Sequence, residues 1–244
     1  QFDIKKFNII VHCANNSSIA KSIINPVDDF NSSVKSTHDL LKYIKEYHPD
    51  SHLIYPSSAA VYGNLPDAAI EESFDTNPIS PYGKNKLLIE GILRKFNEVN
   101  NIKVGIIRFF SIFGPYQKKQ LLWDAANKLS KLEENVFFSG TGEETRDFIY
   151  ISDAVDIISH VTQLNKSFII INGASGLRTT IKEVLERLKT RINPSCQILF
   201  DGKNRPGDPL FFKADISLLK NTDFNNNITL DEGIRLFLLW YKGL

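Results

Sequence analysis

A short apolar run, Asn8-Ile9-Ile10-Val11-His12-Cys13-Ala14, carries the first structural signal of the chain. It is rich in β-branched residues and predicts a strand buried within a parallel sheet. The pattern turns helical over residues 34–47, with Leu40, Leu41 and Ile44 on one side. His52-Leu53-Ile54-Tyr55 predicts the next strand, ending at Pro56-Ser57-Ser58. Residues 63–80, rich in Gly, Pro, Asn and Asp, predict a long loop at the strand ends. Ser80-Pro81 then opens a helix, with an N-cap residue followed by proline at the first helical position. Leu87, Leu88, Ile92 and Leu93 recur at helical spacing to about Phe96, and residues 103–110 form a further buried strand. Strand, helix, strand, helix, strand at this pitch specifies a parallel α/β sheet with right-handed crossovers.

Beyond Gly114-Pro115 the elements become shorter and mixed. Helices are predicted over 121–132, 153–164, 180–191 and 230–241, with strands at 135–139, 148–150 and 168–171. The predicted fold is a doubly wound parallel sheet joined to a smaller mixed α/β domain. Residues 1–114, with 148–171 returning, form the first domain; 115–147 and 172–244 form the second.

Composition narrows the classes. The 244 residues are 42% hydrophobic and 23% charged, ordinary for a globular protein with a real core. A net charge of +1 without a basic block gives no reason to expect nucleic acid or an anionic membrane as partner. No apolar run approaches the roughly 20 residues of a membrane span, and the first residues lack a signal-peptide pattern. Two isolated cysteines, Cys13 and Cys196, suit free thiols in a reducing, cytoplasmic setting. The five histidines show no metal-ligand spacing, so no metal site is expected. The chain contains no methionine, even at position 1, which leads to the expectation that it is a fragment of a longer protein.

Chemistry concentrates in Ser80-Pro81-Tyr82-Gly83-Lys84-Asn85-Lys86. Tyr82 and Lys86, four residues apart, project from one face of a helix. A tyrosine is a poor base at neutral pH, and a neighbouring ammonium favours its phenolate. Ser57 and Ser58 leave the carboxyl end of a strand, the edge at which open α/β sheets bind ligands. A serine capping a turn is the plain alternative, but beside the tyrosine–lysine pair Ser58 is a candidate to steady a reacting oxygen.

With these segments in order, the chain resembles the extended short-chain dehydrogenases that act on nucleotide-sugars, the NAD-dependent nucleotide-sugar epimerases and dehydratases, and among them those similar to UDP-glucose 4-epimerase. The resemblance runs from Asn8 to Tyr241. It is carried by Ile10-Val11-His12-Cys13-Ala14, Ser57 through Gly63, Tyr82 through Lys86, and Arg108 through Pro115. Gly140-Thr141-Gly142 with Arg146-Asp147-Phe148-Ile149-Tyr150, Arg205-Pro206-Gly207-Asp208, and Glu232-Gly233-Ile234 with Trp240-Tyr241 complete it. It implies Ser58, Tyr82 and Lys86 as catalytic residues and bound NAD, with NADP also compatible. It places Cys13, Ala14, Ser33, Ser57, Tyr82, Lys86 and Phe110 beside the cofactor and Ser111, Arg146, Arg205 and Asp208 on the nucleotide-sugar. It also implies a homodimer through the helices after Val34 and from Pro81.

The glycine-rich phosphate loop of such a Rossmann sheet does not occur upstream of Ile9. These 244 residues alone are therefore expected to bind NAD weakly, to fold with little stability and to be inactive. Dehydratases of the family carry an acid and a base after the catalytic serine or threonine, whereas Ala59 and Ala60 stand here. The resemblance thus implies epimerisation, at C4. The alternatives are an NAD(P)H-dependent reductase of a nucleotide-linked 4-keto-6-deoxy sugar, or a non-catalytic Rossmann-like binding protein. The sequence also departs from the family pattern. Ser17 stands where a lysine is often seen, Ser33 for an asparagine, and Asn85 for the serine of Y-x-x-S-K. Ser111 replaces an asparagine of many 4-epimerases, and Tyr150 the histidine of R-D-F-I-H.

Overall fold

In the computed structural model, residues 6–65, 67–203 and 210–244 are described. Strand β1 (Ile9–Val11) leads into three helical pieces, α1 (Ile19–Ile24), α2 (Pro26–Phe30) and a π-helical turn (Asn31–Lys35). The last runs straight into α3 (Ser36–Tyr47). Next come β2 (His52–Ser58), a 3₁₀ turn (Ala59–Val61), α4 (Pro81–Asn100) and β3 (Val104–Phe109). The chain continues through β4 (Ser111–Phe113), α5 (Gln120–Leu129), β5 (Asn135–Phe138), β6 (Thr145–Arg146), β7 (Phe148–Tyr150) and α6 (Ile151–Gln163). It closes with β8 (Phe168–Gly173), β9 (Thr179–Thr180), α7 (Ile181–Ile192), β10 (Gln197–Phe200), α8 (Ser217–Lys220) and α9 (Leu230–Lys242).

The main sheet has the order β1-β2-β3-β8, all parallel, with Ile54 paired to Gly105 and Ile106 to Ile170. This is the parallel α/β sheet that the alternation of patterns predicts. β3 is buried along its whole length because helices cover both faces of the sheet. One face packs on α3 and α4 through Leu41, Ile44, Ile89 and Leu93. The other packs on α6, with Tyr62 and Ile70 in the same cluster, through Ile107, Ile157 and Val161. β1 differs from expectation: Ile9 and Val11 are 48% and 39% exposed. Among the described residues it pairs with β2 alone.

A further core gathers Phe113, Leu122, Leu129, Val136, Val184, Leu188 and Phe237, from β4, β5, α5, α7 and α9. Its strand pairs are short: β5 with β10, β4 with β7, and β6 with β9. Asp147, fully buried between β6 and β7, joins the regions. Its carboxylate accepts hydrogen bonds from Ser175 N and Oγ, Gly176 N and Ala214 N.

Candidate active site

Helix α4 is built to aim its first turn at the end of β2. Ser80 caps it, accepting from Gly83 N at 3.1 Å, and Pro81 fills the first helical position, where no amide donor is needed. The free amide of Tyr82 donates to the buried Ser22 Oγ of α1 at 3.1 Å. Gly83 allows the approach: a Cβ there would lie 2.6 Å from the Ala60 carbonyl oxygen. The turn that Ala60 belongs to is capped by Ser58, whose hydroxyl accepts from Ala60 N at 3.2 Å. The first turn of α4 and the turn after β2 therefore press together, which brings the Tyr82 phenol within the influence of the Ser58 hydroxyl.

Lys86 follows one helical turn later and is buried. Its Nζ donates to Pro56 O at 2.9 Å and lies 4.6 Å from the Tyr55 ring centre and 5.8 Å from that of Tyr82. Burial lowers the Lys86 ammonium to about 8, opposed by the nearby Cys13, Glu90 and Asp29. Tyr82 is raised, first by burial; the Ser58 hydroxyl lowers it and the Asp29 charge raises it further. The sequence pointed to a neighbouring ammonium that favours the phenolate; in the folded chain the leading influence on Tyr82 is desolvation, and the net direction is upward.

The remaining candidates lie around this centre or apart from it. Cys13 and Ala14 are exposed just past β1. Ser33 is buried in the π-helical turn and accepts from Asn16 N at 3.2 Å. Ser57 is committed to the interior: it donates to Glu90 Oε1 at 2.6 Å, and Glu90 pairs with Arg108 at 2.8 Å, both buried. Phe110 is buried edge-on against Phe212, with centres 5.6 Å apart. Ser111 begins β4, half-buried. Arg146 is half-buried on β6, donating to Thr145 O at 2.8 Å with its guanidinium 5.8 Å from the Phe212 ring. Arg205 and Asp208 fall outside the described residues.

Sequence reasoning missed the buried Asp29 of α2. Its carboxylate accepts from Asn16 Nδ2 at 2.5 Å and Asn85 Nδ2 at 2.7 Å. Pro26-Val27-Asp28-Asp29 reads as an ordinary helix start with acidic residues in its first turn, and nothing local marks Asp29 as interior. Among the described residues, no cluster of three His, Cys, Asp or Glu side chains could hold a metal, and no helix is long and apolar enough to cross a membrane.

The family described as "NAD dependent epimerase/dehydratase family" matches residues 1–172. A Methanocaldococcus jannaschii protein provisionally named as a UDP-glucose 4-epimerase is 27% identical over 247 residues, covering 100% of this chain and 80% of the relative. The dTDP-D-glucose 4,6-dehydratase of Homo sapiens is 24% identical over 247 residues, covering 99% and 70%. The crystal structure of UDP-glucose 4-epimerase from Thermotoga maritima, with UDP-glucose, superposes with a TM-score of 0.89 at 23% identity. That match covers 97% of this chain and 77% of the other.

Proposed function

The chain belongs to the NAD dependent epimerase/dehydratase family, and from that premise we propose that it is a nucleotide-sugar epimerase acting at C4 through transient oxidation. The observation that carries this reading is a complete proton-handling set, Ser58, Tyr82 and Lys86, followed directly after Ser58 by the buried alanines Ala59 and Ala60. A methyl side chain neither takes up nor delivers a proton. Loss of water from the sugar therefore lacks an acid and a base at the two positions where dehydratases resembling this chain carry them.

Tyr82 Oη takes the proton of the sugar hydroxyl and later returns it. Its raised pKa makes it a strong base once deprotonated. Ser58 holds the reacting oxygen through its hydroxyl. Lys86 opposes the negative charge that forms on the phenol. The donor set suits a dinucleotide beside this triad: the Lys86 ammonium carries three N–H groups, and its bond to Pro56 O leaves others for a ribose hydroxyl. The exposed Cys13 and Ala14 would lie under the ring. When bound, NAD supplies the reversible oxidation of the sugar carbinol. Ser111 and Arg146, with Arg205 and Asp208, are the proposed holders of the nucleotide-sugar diphosphate, which guanidinium forks suit. A homodimer through α3 and α4 belongs to the same proposal.

Proton NMR of UDP-sugars incubated with the protein and NAD tests the reading. Interconversion at C4 without net consumption of NAD is expected. Tyr82→Phe should lower turnover by about 10²–10⁴-fold with substrate binding retained. Stoichiometric use of NADPH on a keto-sugar, with no interconversion, would replace epimerase by reductase.

A further inference from the structure

The least expected group near the catalytic pair is a carboxylate. Asp29 is 2% exposed, and its hydrogen-bond donors are two neutral amides rather than a cation. Asn16 belongs to the segment after β1 and Asn85 to the first turns of α4, between Tyr82 and Lys86. Asp29 therefore links the covering segment α1–α2 to the face of α4 that bears both catalytic side chains. Asn85 is one of the departures from the Y-x-x-S-K pattern, and the exchange has a physical reading. A serine is too short to make the bond that the asparagine amide makes to Asp29.

We propose that Asp29 is a positioning residue for the Tyr82–Lys86 pair, its carboxylate tying α2 to α4 through Asn85 and presenting negative charge to both side chains. This rests on the assignment of Tyr82 and Lys86 as the proton-handling groups. The titratable groups around the pair are His12 and Cys13 past β1, Tyr55 on β2, Glu90 one turn further along α4, and Asp29 on α2. Of the two carboxylates, Glu90 is bound to Arg108, which leaves Asp29 as the one whose charge no described cation neutralises directly. A negative charge there supports the Lys86 ammonium against the effect of burial and opposes the Tyr82 phenolate. The pair is thereby held as ammonium and phenol until substrate arrives.

The test titrates Lys86 directly, by NMR of the full chain labelled with ¹³C at lysine Cε, the resonance being identified by its loss in Lys86→Met. In the unaltered chain the midpoint is expected near 8. Asp29→Asn keeps the shape, and a flip of either partner amide can satisfy the new amide. It should lower the midpoint by about one pH unit and move the alkaline limb of the kcat/KM profile with it. Asn85→Ser cuts the tie but keeps the charge. It should reduce kcat several-fold, with the midpoint left within a few tenths of its original value. If the amide variant does not fold, Asp29→Ser carries the same expectation. An unmoved midpoint in the neutral Asp29 variants, or an equal shift in Asn85→Ser, overturns the proposal. Turnover that survives Tyr82→Phe would overturn the catalytic assignment instead, and leaves the titration result standing.

Discussion

His12 shows what the interior does to a single side chain. It is 5% exposed at the end of β1, with Nε2 at 2.8 Å from Thr37 Oγ1, and burial together with the Lys86 charge lowers it to about 4. Between about pH 4 and 6.5 the unfolded chain binds a proton at His12 that the folded chain refuses. Folding stability from this group is complete above pH 6.5 and falls as the pH drops towards 4, by up to ~3 kcal/mol. Asp147 works the other way. Burial raises it from 3.8 to about 6 against four donated hydrogen bonds, so the folded state holds the extra proton and stability falls as the pH rises through that window. The two contributions offset each other in the intact protein. Comparison of His12→Gln with the unaltered chain, by urea unfolding at pH 7 and at pH 4, isolates the histidine. The stability difference between the two proteins should shift in favour of the variant by about 3 kcal/mol on acidification. A difference that stays constant with pH would show that His12 is not held neutral. Ser58, Tyr82 and Lys86 were legible at this scale because a strand end and an i, i+4 spacing are local. Asp29 was not, because its partners lie 13 and 56 residues away along the chain.

Among the elements, α4 decides the site, and Gly83 and Gly91 separate its two duties. A Cβ at Gly83 would meet Ala60 O at 2.6 Å and Pro78 Cβ at 2.9 Å, whereas one at Gly91 would meet nothing within 4 Å. Alanine favours a helix interior over glycine by about 1 kcal/mol. Gly91→Ala should therefore gain up to that amount in the folding of the single chain, although its added methyl enters the depression proposed below for a second copy. Gly83→Ala must push α4 off the turn after Ser58, with a net cost of about 1–3 kcal/mol. Because the approach of Tyr82 to Ser58 spans this junction, kcat should also fall by about tenfold or more. Thermal unfolding and steady-state kinetics on both variants check this, and an active, stabilised Gly83→Ala would contradict the close approach. The sequence announced α4 through its cap and apolar period, and the strands through their β-branched runs. It said nothing of α1, α2 or the π-helical turn. Residues 15–33 are dominated by Asn, Ser and isolated apolar residues with a proline at 26, and their helicity follows from packing on α4 rather than from a period of their own. The two-residue strands β6 and β9 were likewise invisible, since so short a pairing leaves no alternation to read.

At the scale of the whole molecule, α3 and α4 cover one face of the main sheet while leaving apolar surface outside. Leu88 is 46% exposed and Tyr43 41%, and Leu87, Gly91 and Ile92 line a shallow apolar depression with Pro78 along α4. The helical period cannot distinguish such a surface from a core, because Leu41 and Ile89, on the same two helices, are buried. Exposure separates them: the inward stripe packs on the sheet, and the outward one meets solvent in the single chain. The proposed occupant is a second copy of this chain, two helices from each subunit forming a four-helix interface. Lys84 and Lys95 flank the depression, so an added carboxylate on one subunit could find a cation at its rim, but at the centre it would be desolvated without a partner. Leu88→Glu should therefore convert a dimer to a monomer in sedimentation velocity at micromolar concentration, while the far-ultraviolet circular dichroism of the fold is retained. A monomer before substitution, or a dimer that survives it, would place the subunit contact elsewhere or remove it.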